Sequence, residues 1–115
     1  MLIDLKSRIE NIEYDLRMVT AQQASQEIQQ NKGLLIDVRE PGEVSSQPVS
    51  AAINIPRGVL EMKMLEQVKE AATPIYLHCA SGMRAKLAAE QLINIGYENV
   101  SVVTCPITDI NQADF

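Results

Sequence analysis

The chain has 115 residues, 46% of them hydrophobic and 3% aromatic, which suits one compact domain whose core is built from Leu, Ile, Val, Ala and Met. A domain of this size buries roughly two-thirds of its unfolded surface, so it needs neither disulfides nor metals to be stable. The net charge is −5 and the basic residues are scattered, which argues against a nucleic-acid surface. No apolar run approaches the roughly 20 residues that span a bilayer.

Residues 2–16 place Leu2, Leu5, Ile9, Ile12 and Leu16 at spacings of 3 and 4, the stripe of an amphipathic helix. Residues 1–17 are therefore assigned to an N-terminal helix, a candidate homodimer or partner contact, with packing on its own domain as the alternative. The main domain is expected over 18–115, after a hinge near Met18. This opening is charged and lacks the apolar segment of a signal peptide, so a cytoplasmic location is expected. There, Cys79 and Cys105 are expected to be reactive or buried rather than crosslinked.

Thr20 reads as the N-cap of a helix over 21–30, closed by Asn31-Lys32-Gly33. Leu34–Val38 is a short apolar run without helical spacing, a strand covered on both faces. Arg39-Glu40-Pro41-Gly42-Glu43 reads as a turn. Residues 52–55 form a short strand stopped by Pro56, and 58–71 read as a helix with Leu60, Met64, Leu65 and Val68 inward. A strand over 74–78 leads into Cys79. Residues 84–95 form a helix with Leu87, Ala88, Leu92 and Ile95 inward and Gly96 closing it. Residues 100–103 make the last strand, and the chain from Cys105 onward reads as irregular. Strands alternating with helices predict an α/β domain with a mainly parallel sheet, whose ligands sit beyond the carboxyl ends of the strands. Cys79 lies at such an end.

Strand, then Cys79-Ala80-Ser81-Gly82-Met83-Arg84, then helix is a specific arrangement. A tight loop entering a helix turns successive N–H groups inward as an anion nest, backed by the helix dipole, and this favours the thiolate that attacks sulfur. Gly82 permits the tight closure, and Arg84 adds a permanent positive charge.

Three segments, Leu35-Ile36-Asp37-Val38-Arg39-Glu40-Pro41-Gly42-Glu43, Ala52-Ile53-Asn54-Ile55-Pro56 and the Cys79 loop, follow in an order that resembles a rhodanese domain over residues 19–107. The resemblance implies a five-stranded parallel sheet flanked by helices. It also implies a cycle in which Cys79 takes a sulfane sulfur from thiosulfate or a persulfide, then passes it to a thiol, cyanide or protein acceptor. By position, the amides of Ala80, Ser81, Gly82, Met83, Arg84 and Ala85 would hold the persulfide, with Asp37 and Arg39 beside the pocket as scaffold and rim. No metal or organic cofactor is implied.

Four residues separate Cys79 from Arg84, one fewer than in cysteine phosphatases and related arsenate reductases, so a tetrahedral phosphate is not expected to fit. The segment Gln47–Ala51 stands where the family usually has Gly-His-Ile-Pro-Gly, Ala85 where Ser is frequent, and Ala80 where several thiosulfate users carry a cation. These departures leave the mouth nearly neutral, and a persulfide donor is expected at least as readily as thiosulfate. A non-catalytic sulfur carrier or regulatory module on the same scaffold is the alternative function.

His78 is expected to pack in the sheet, since adjacent strand residues point to opposite faces and it is badly placed to deprotonate Cys79. One His and two distant Cys make no zinc set. Cys105, at the end of the last strand, is a candidate resolving thiol, or simply closes the strand before Pro106. Glu40 and Glu43 read as structural charges on a turn.

Overall fold

The computed structural model describes residues 1–115. Five strands, β1 (Arg17–Val19), β2 (Leu34–Asp37), β3 (Ile53–Asn54), β4 (Ile75–His78) and β5 (Val100–Val103), form one sheet in the order β1-β5-β4-β2-β3. Every neighbouring pair is parallel. Parallel neighbours need crossovers, and short helices supply most of them. These helices are α1 (Leu5–Glu10), α2 (Ala21–Asn31), α3 (Pro41–Ser46), α4 (Leu60–Gln67), α5 (Met83–Asn94) and α6 (Ile107–Gln112). The expected five-stranded α/β sheet is therefore present, and it is parallel throughout.

Alternation along the strands divides the core in two. Ile36, Val38, Ile75, Leu77, Cys79 and Val102 face α4 and α5, where Leu60, Met64, Ala85, Ala88, Ala89 and Leu92 close the layer. Leu35, Tyr76, Val19 and Val103 face the other way, against Ala21 and Ala24 of α2 and Ile107 and Ile110 of α6. The alanines of α5 let it lie close to the sheet, which suits a core nearly without aromatics.

Several local expectations hold. Thr20 caps α2, its hydroxyl accepting the Gln23 amide at 3.1 Å, and Lys32 ends that helix in the left-handed conformation. Gly96, at φ +111°, follows α5. Others need correction. The stripe over 2–16 is helical only over Leu5–Glu10, where the Asp4 carboxylate accepts the Ser7 amide. The chain then straightens, and the expected hinge near Met18 is strand β1, paired to β5 through Met18 and Val102. The boundary drawn between residues 17 and 18 thus falls inside a strand.

The stripe itself splits. Ile9, Ile12 and Leu16 are half-buried against the domain, whereas Met1, Leu2, Ile3 and Leu5 are exposed. Arg8 pairs with Glu90 at 2.6 Å and the Tyr14 hydroxyl donates to Asn94, tying this segment to α5.

The supposed turn after Arg39 opens helix α3. Pro41 occupies its first turn, where a missing N–H costs nothing, and Glu40 and Glu43 form a reciprocal capping box. The helix expected over 58–71 begins as a 3-10 turn at Arg57–Val59 and ends at Gln67, which leaves Leu65 exposed. In α5 the buried face is Ala85, Ala88, Ala89 and Leu92, while Leu87 is half-buried and Ile95 exposed. The tail read as irregular contains α6, held by the Ile107–Ile110 pair in the core.

Candidate active site

From β2 the chain runs outward to β3, and β4 returns on the other flank. The order of strands therefore reverses between β2 and β4, and an open α/β sheet forms its crevice at such a point. Asp37 and His78 are register partners at the ends of these two strands, and Cys79 is the next residue.

Cys79 is 1% exposed. Its Sγ receives the Gly82 amide at 3.0 Å and the Ala85 amide at 3.4 Å, so the loop and the first turn of α5 aim two N–H donors at one sulfur. This geometry needs Gly82 at φ +89°, a left-handed conformation that costs other residues roughly 1–2 kcal/mol. Ala80 and Ser81 are exposed, Met83 and Arg84 are half-exposed, and Ala85 is buried beneath the sulfur. The loop residues singled out in the sequence thus surround Cys79. Two of their amides bond its sulfur directly.

Asp37 and Arg39 form a buried scaffold behind the loop. Both carboxylate oxygens of Asp37 accept from the Arg39 side chain, at 2.7 to 3.1 Å, and each side chain is 2% exposed. Arg39 also donates to the Gln47 carbonyl at 2.9 Å, and the Asn54 side-chain amide donates to the carbonyls of Asp37 and Arg39. Gln47 contributes a backbone oxygen, which explains how this segment can depart from the family's usual residues and still be anchored. Asn54 was not singled out in the sequence, although its place at the end of a short strand beside Asp37 was a usable signal.

His78 is fully buried on the Asp37 side of the sheet, away from Cys79 Sγ. Its Nε2 lies 3.7 Å from Asp37 Oδ2, beyond hydrogen-bond distance, and neither ring nitrogen has a partner in the protein. Burial pushes its pKa below the ordinary histidine value, so the ring is mainly neutral at pH 7.

Arg84 turns outward from the loop toward α3. Its two terminal nitrogens donate to the two oxygens of Glu43 at 2.6 and 2.9 Å, a bidentate pair. The same Glu43 carboxylate accepts the Glu40 amide at 3.0 Å. Arg84, foremost, and then the Glu40 amide hold the Glu43 carboxyl down at about 2. No local pattern signals this partner, since 41 residues separate the two.

Cys105 belongs to the opposite layer. It packs against the α2–α6 half of the core, half-exposed, and its Sγ accepts the Ala21 amide at 3.1 Å. The structure does not bring it to Cys79. A surface cleft of about 680 Å³ lies here between α2 and α6 and is lined largely by Gln and Asp side chains. It lies on the face of the sheet away from the Cys79 loop, and size alone does not locate the chemistry. No three His, Cys, Asp or Glu side chains converge where a metal ion could be held.

A model of the rhodanese-like domain family matches residues 20–113. Among curated proteins, the chain is 40% identical over 91 residues to the mitochondrial thiosulfate sulfurtransferase RDL2 of Saccharomyces cerevisiae, covering 69% of this chain and 60% of that protein. The chain thus spans about three-fifths of the length of the curated relatives it matches. The crystal structure of RDL2 superposes with a TM-score of 0.65 at 30% identity, covering 85% of this chain and 90% of that one. A Rhodopseudomonas palustris protein of unknown function, described as a possible tyrosine phosphatase, superposes with a TM-score of 0.81 over 97% and 92% of the two chains. At 18% identity, that likeness concerns the fold alone.

Proposed function

We propose that this chain, which belongs to the rhodanese-like domain family, is a sulfurtransferase that carries a sulfane sulfur as a persulfide on Cys79. The observation that supports this reading most strongly is the pair of amide donors on Cys79 Sγ, from Gly82 and Ala85, inside a loop of six residues. The Cys79 thiolate attacks the outer sulfur of the donor, and the donor's S–S bond breaks with its electron pair leaving on the departing sulfur. Thiosulfate then leaves as sulfite, and a low-molecular-weight persulfide as a thiol. The new terminal sulfur carries the negative charge, and the inward amides of residues 80–85 receive it, as an oxyanion hole receives oxygen.

In the second half of the cycle, cyanide, a thiol or a protein acceptor attacks the terminal sulfur and the Cys79 thiolate departs. No proton needs to be taken from carbon or water, so no base is required at Cys79. A neutral, buried His78 is compatible with that chemistry. The four-residue spacing between Cys79 and Arg84 supports sulfur over phosphate as the group held.

The reading is tested by incubating the full chain with thiosulfate or glutathione persulfide in the presence of cyanide. Thiocyanate release with at least one donor is expected, and silence with both rejects it. Within the same reading, the exposed Met1, Leu2, Ile3 and Leu5 support self-association through residues 2–16. Light scattering should then lose the larger species in a Leu2→Glu, Leu5→Glu variant, and a monomer at all concentrations rejects the contact.

A further inference from the structure

The arginines on this edge of the sheet are all engaged. Arg39 is buried on Asp37, Arg57 holds Glu61 at 2.8 Å, and Arg84 holds Glu43. Lys86 makes no ion pair, but it shares a helical stripe with Glu90 and Asn94, the residues of α5 that meet the N-terminal segment. It therefore lies on the flank of α5 away from Arg84. Glu40, exposed beside the same pair, adds a further negative charge to the rim. The mouth above Cys79 thus offers inward amides at its floor, and each of these three arginines is already committed to a carboxylate.

Glu43 is fixed in this role from two sides. Its carboxylate closes the capping box of α3 and clamps both guanidinium nitrogens of Arg84, so the pair joins α3 to the first turn of α5. Resting on the sulfurtransferase reading above, we infer that Glu43 is a specificity-determining residue. By occupying Arg84 it withholds positive charge from the mouth and steers the site toward thiol persulfides and away from thiosulfate.

The two donors differ in where their charge sits. In thiosulfate the sulfonate is bonded directly to the sulfane sulfur, so a dianion must enter the mouth and sulfite must depart through it. In a thiol persulfide any carboxylate stands several bonds away from the reacting sulfur. With the persulfide, the Cys79 Sγ–S bond forms as the donor's S–S bond breaks. The electron pair leaves on the thiol sulfur, which takes up the persulfide's proton, and Cys79–S–S⁻ remains. With thiosulfate the same bond exchange releases sulfite and no proton moves.

The test compares thiosulfate with glutathione persulfide as donors, with cyanide as acceptor, in the wild type, E43Q, R84Q and E43Q/R84Q. In E43Q the glutamine carbonyl can still accept the Glu40 amide, but the guanidinium charge is left unneutralised. For E43Q, kcat/KM for thiosulfate is expected to rise about fivefold through KM, the scale of one half-exposed charge interaction, while the persulfide value stays within about twofold. R84Q leaves Glu43 uncompensated and shifts the donor ratio the opposite way, so one variant suffices if the other does not fold. The double variant loses the gain of E43Q. A wild type that takes up sulfur with a donor ratio that neither single variant moves overturns the role of Glu43 alone. A wild type that forms no Cys79 persulfide with either donor overturns the sulfurtransferase reading as well.

Discussion

The two cysteines occupy comparable places and differ in what surrounds the sulfur. Both follow a central parallel strand, and both sulfurs accept an N–H from the first turn of a helix. Cys79 faces the α4–α5 layer inside its own short loop, with a second amide from Gly82 and a buried ion pair braced behind it. Cys105 faces the α2–α6 layer beside an open polar cleft, and its single amide comes from the unrelated residue Ala21. Position at the carboxyl edge of a sheet is therefore insufficient. On the proposed reading, a loop that folds back on its own sulfur is what separates a carrier site from a strand-ending thiol.

The comparison breaks most sharply if both thiols are removed in turn. Cys79→Ser is expected to lower thiocyanate formation at least about a thousandfold, as loss of a nucleophile does, whereas Cys105→Ser leaves it near wild type. A large loss in the second variant would return Cys105 to the cycle as a resolving thiol.

The brace behind Cys79 comes next. Asp37→Ala strands the Arg39 guanidinium in the core and is expected to cost about 3–5 kcal/mol by denaturant unfolding, because breaking a buried pair leaves an uncompensated charge. A cost below that of an ordinary surface substitution would show that the loop needs no such support.

Gly82→Ala tests the loop itself. Open space surrounds the position, so the added methyl clashes with nothing and the penalty comes from φ +89°, about 1–2 kcal/mol. Activity should fall more than stability, since the distortion moves an amide that bonds Sγ. An equal fall in both would mean the cradle has no special role.

The smallest effect concerns His78. Its folded pKa is lowered by burial, so the unfolded chain binds its proton more readily and stability falls as pH drops below about 6.5. Asp37 and Arg39, the charged groups facing it, oppose one another in this shift. In His78→Asn the slope of stability between about pH 5 and 7 should flatten, measured by unfolding midpoints. An unchanged slope would place that titration elsewhere. A separate acid limb, from about pH 4.5 down toward pH 2, belongs to Glu43 and Glu27, whose carboxyls are held at about 2 by Arg84 and Arg17.

Much of the site was legible because it is local. Strand, cysteine, glycine, arginine and helix follow within a dozen residues, and their spacing is what supports the proposal of sulfur over phosphate. The interior strands were legible as apolar runs for the same reason. Strand β1 was not, because Arg17 and Met18 are exposed on a sheet edge and only Val19 is buried, so its partner β5 defines it. Helix α3 was hidden by Pro41-Gly42, which signals a turn unless the Glu40–Glu43 capping box is weighed against it. Helix α6 was hidden by its length of six residues, although Ile107 and Ile110 carried the spacing. The Glu43–Arg84 clamp is a tertiary contact that no local pattern encodes.

The most direct test is the intact mass of the full chain after a brief exposure to glutathione persulfide or thiosulfate, followed by peptide mapping. The predicted result is an increase of about 32 Da, one sulfur atom, located on Cys79 and discharged by cyanide, as expected for a reversible persulfide. The same increase on Cys105 with Cys79 unmodified would contradict it.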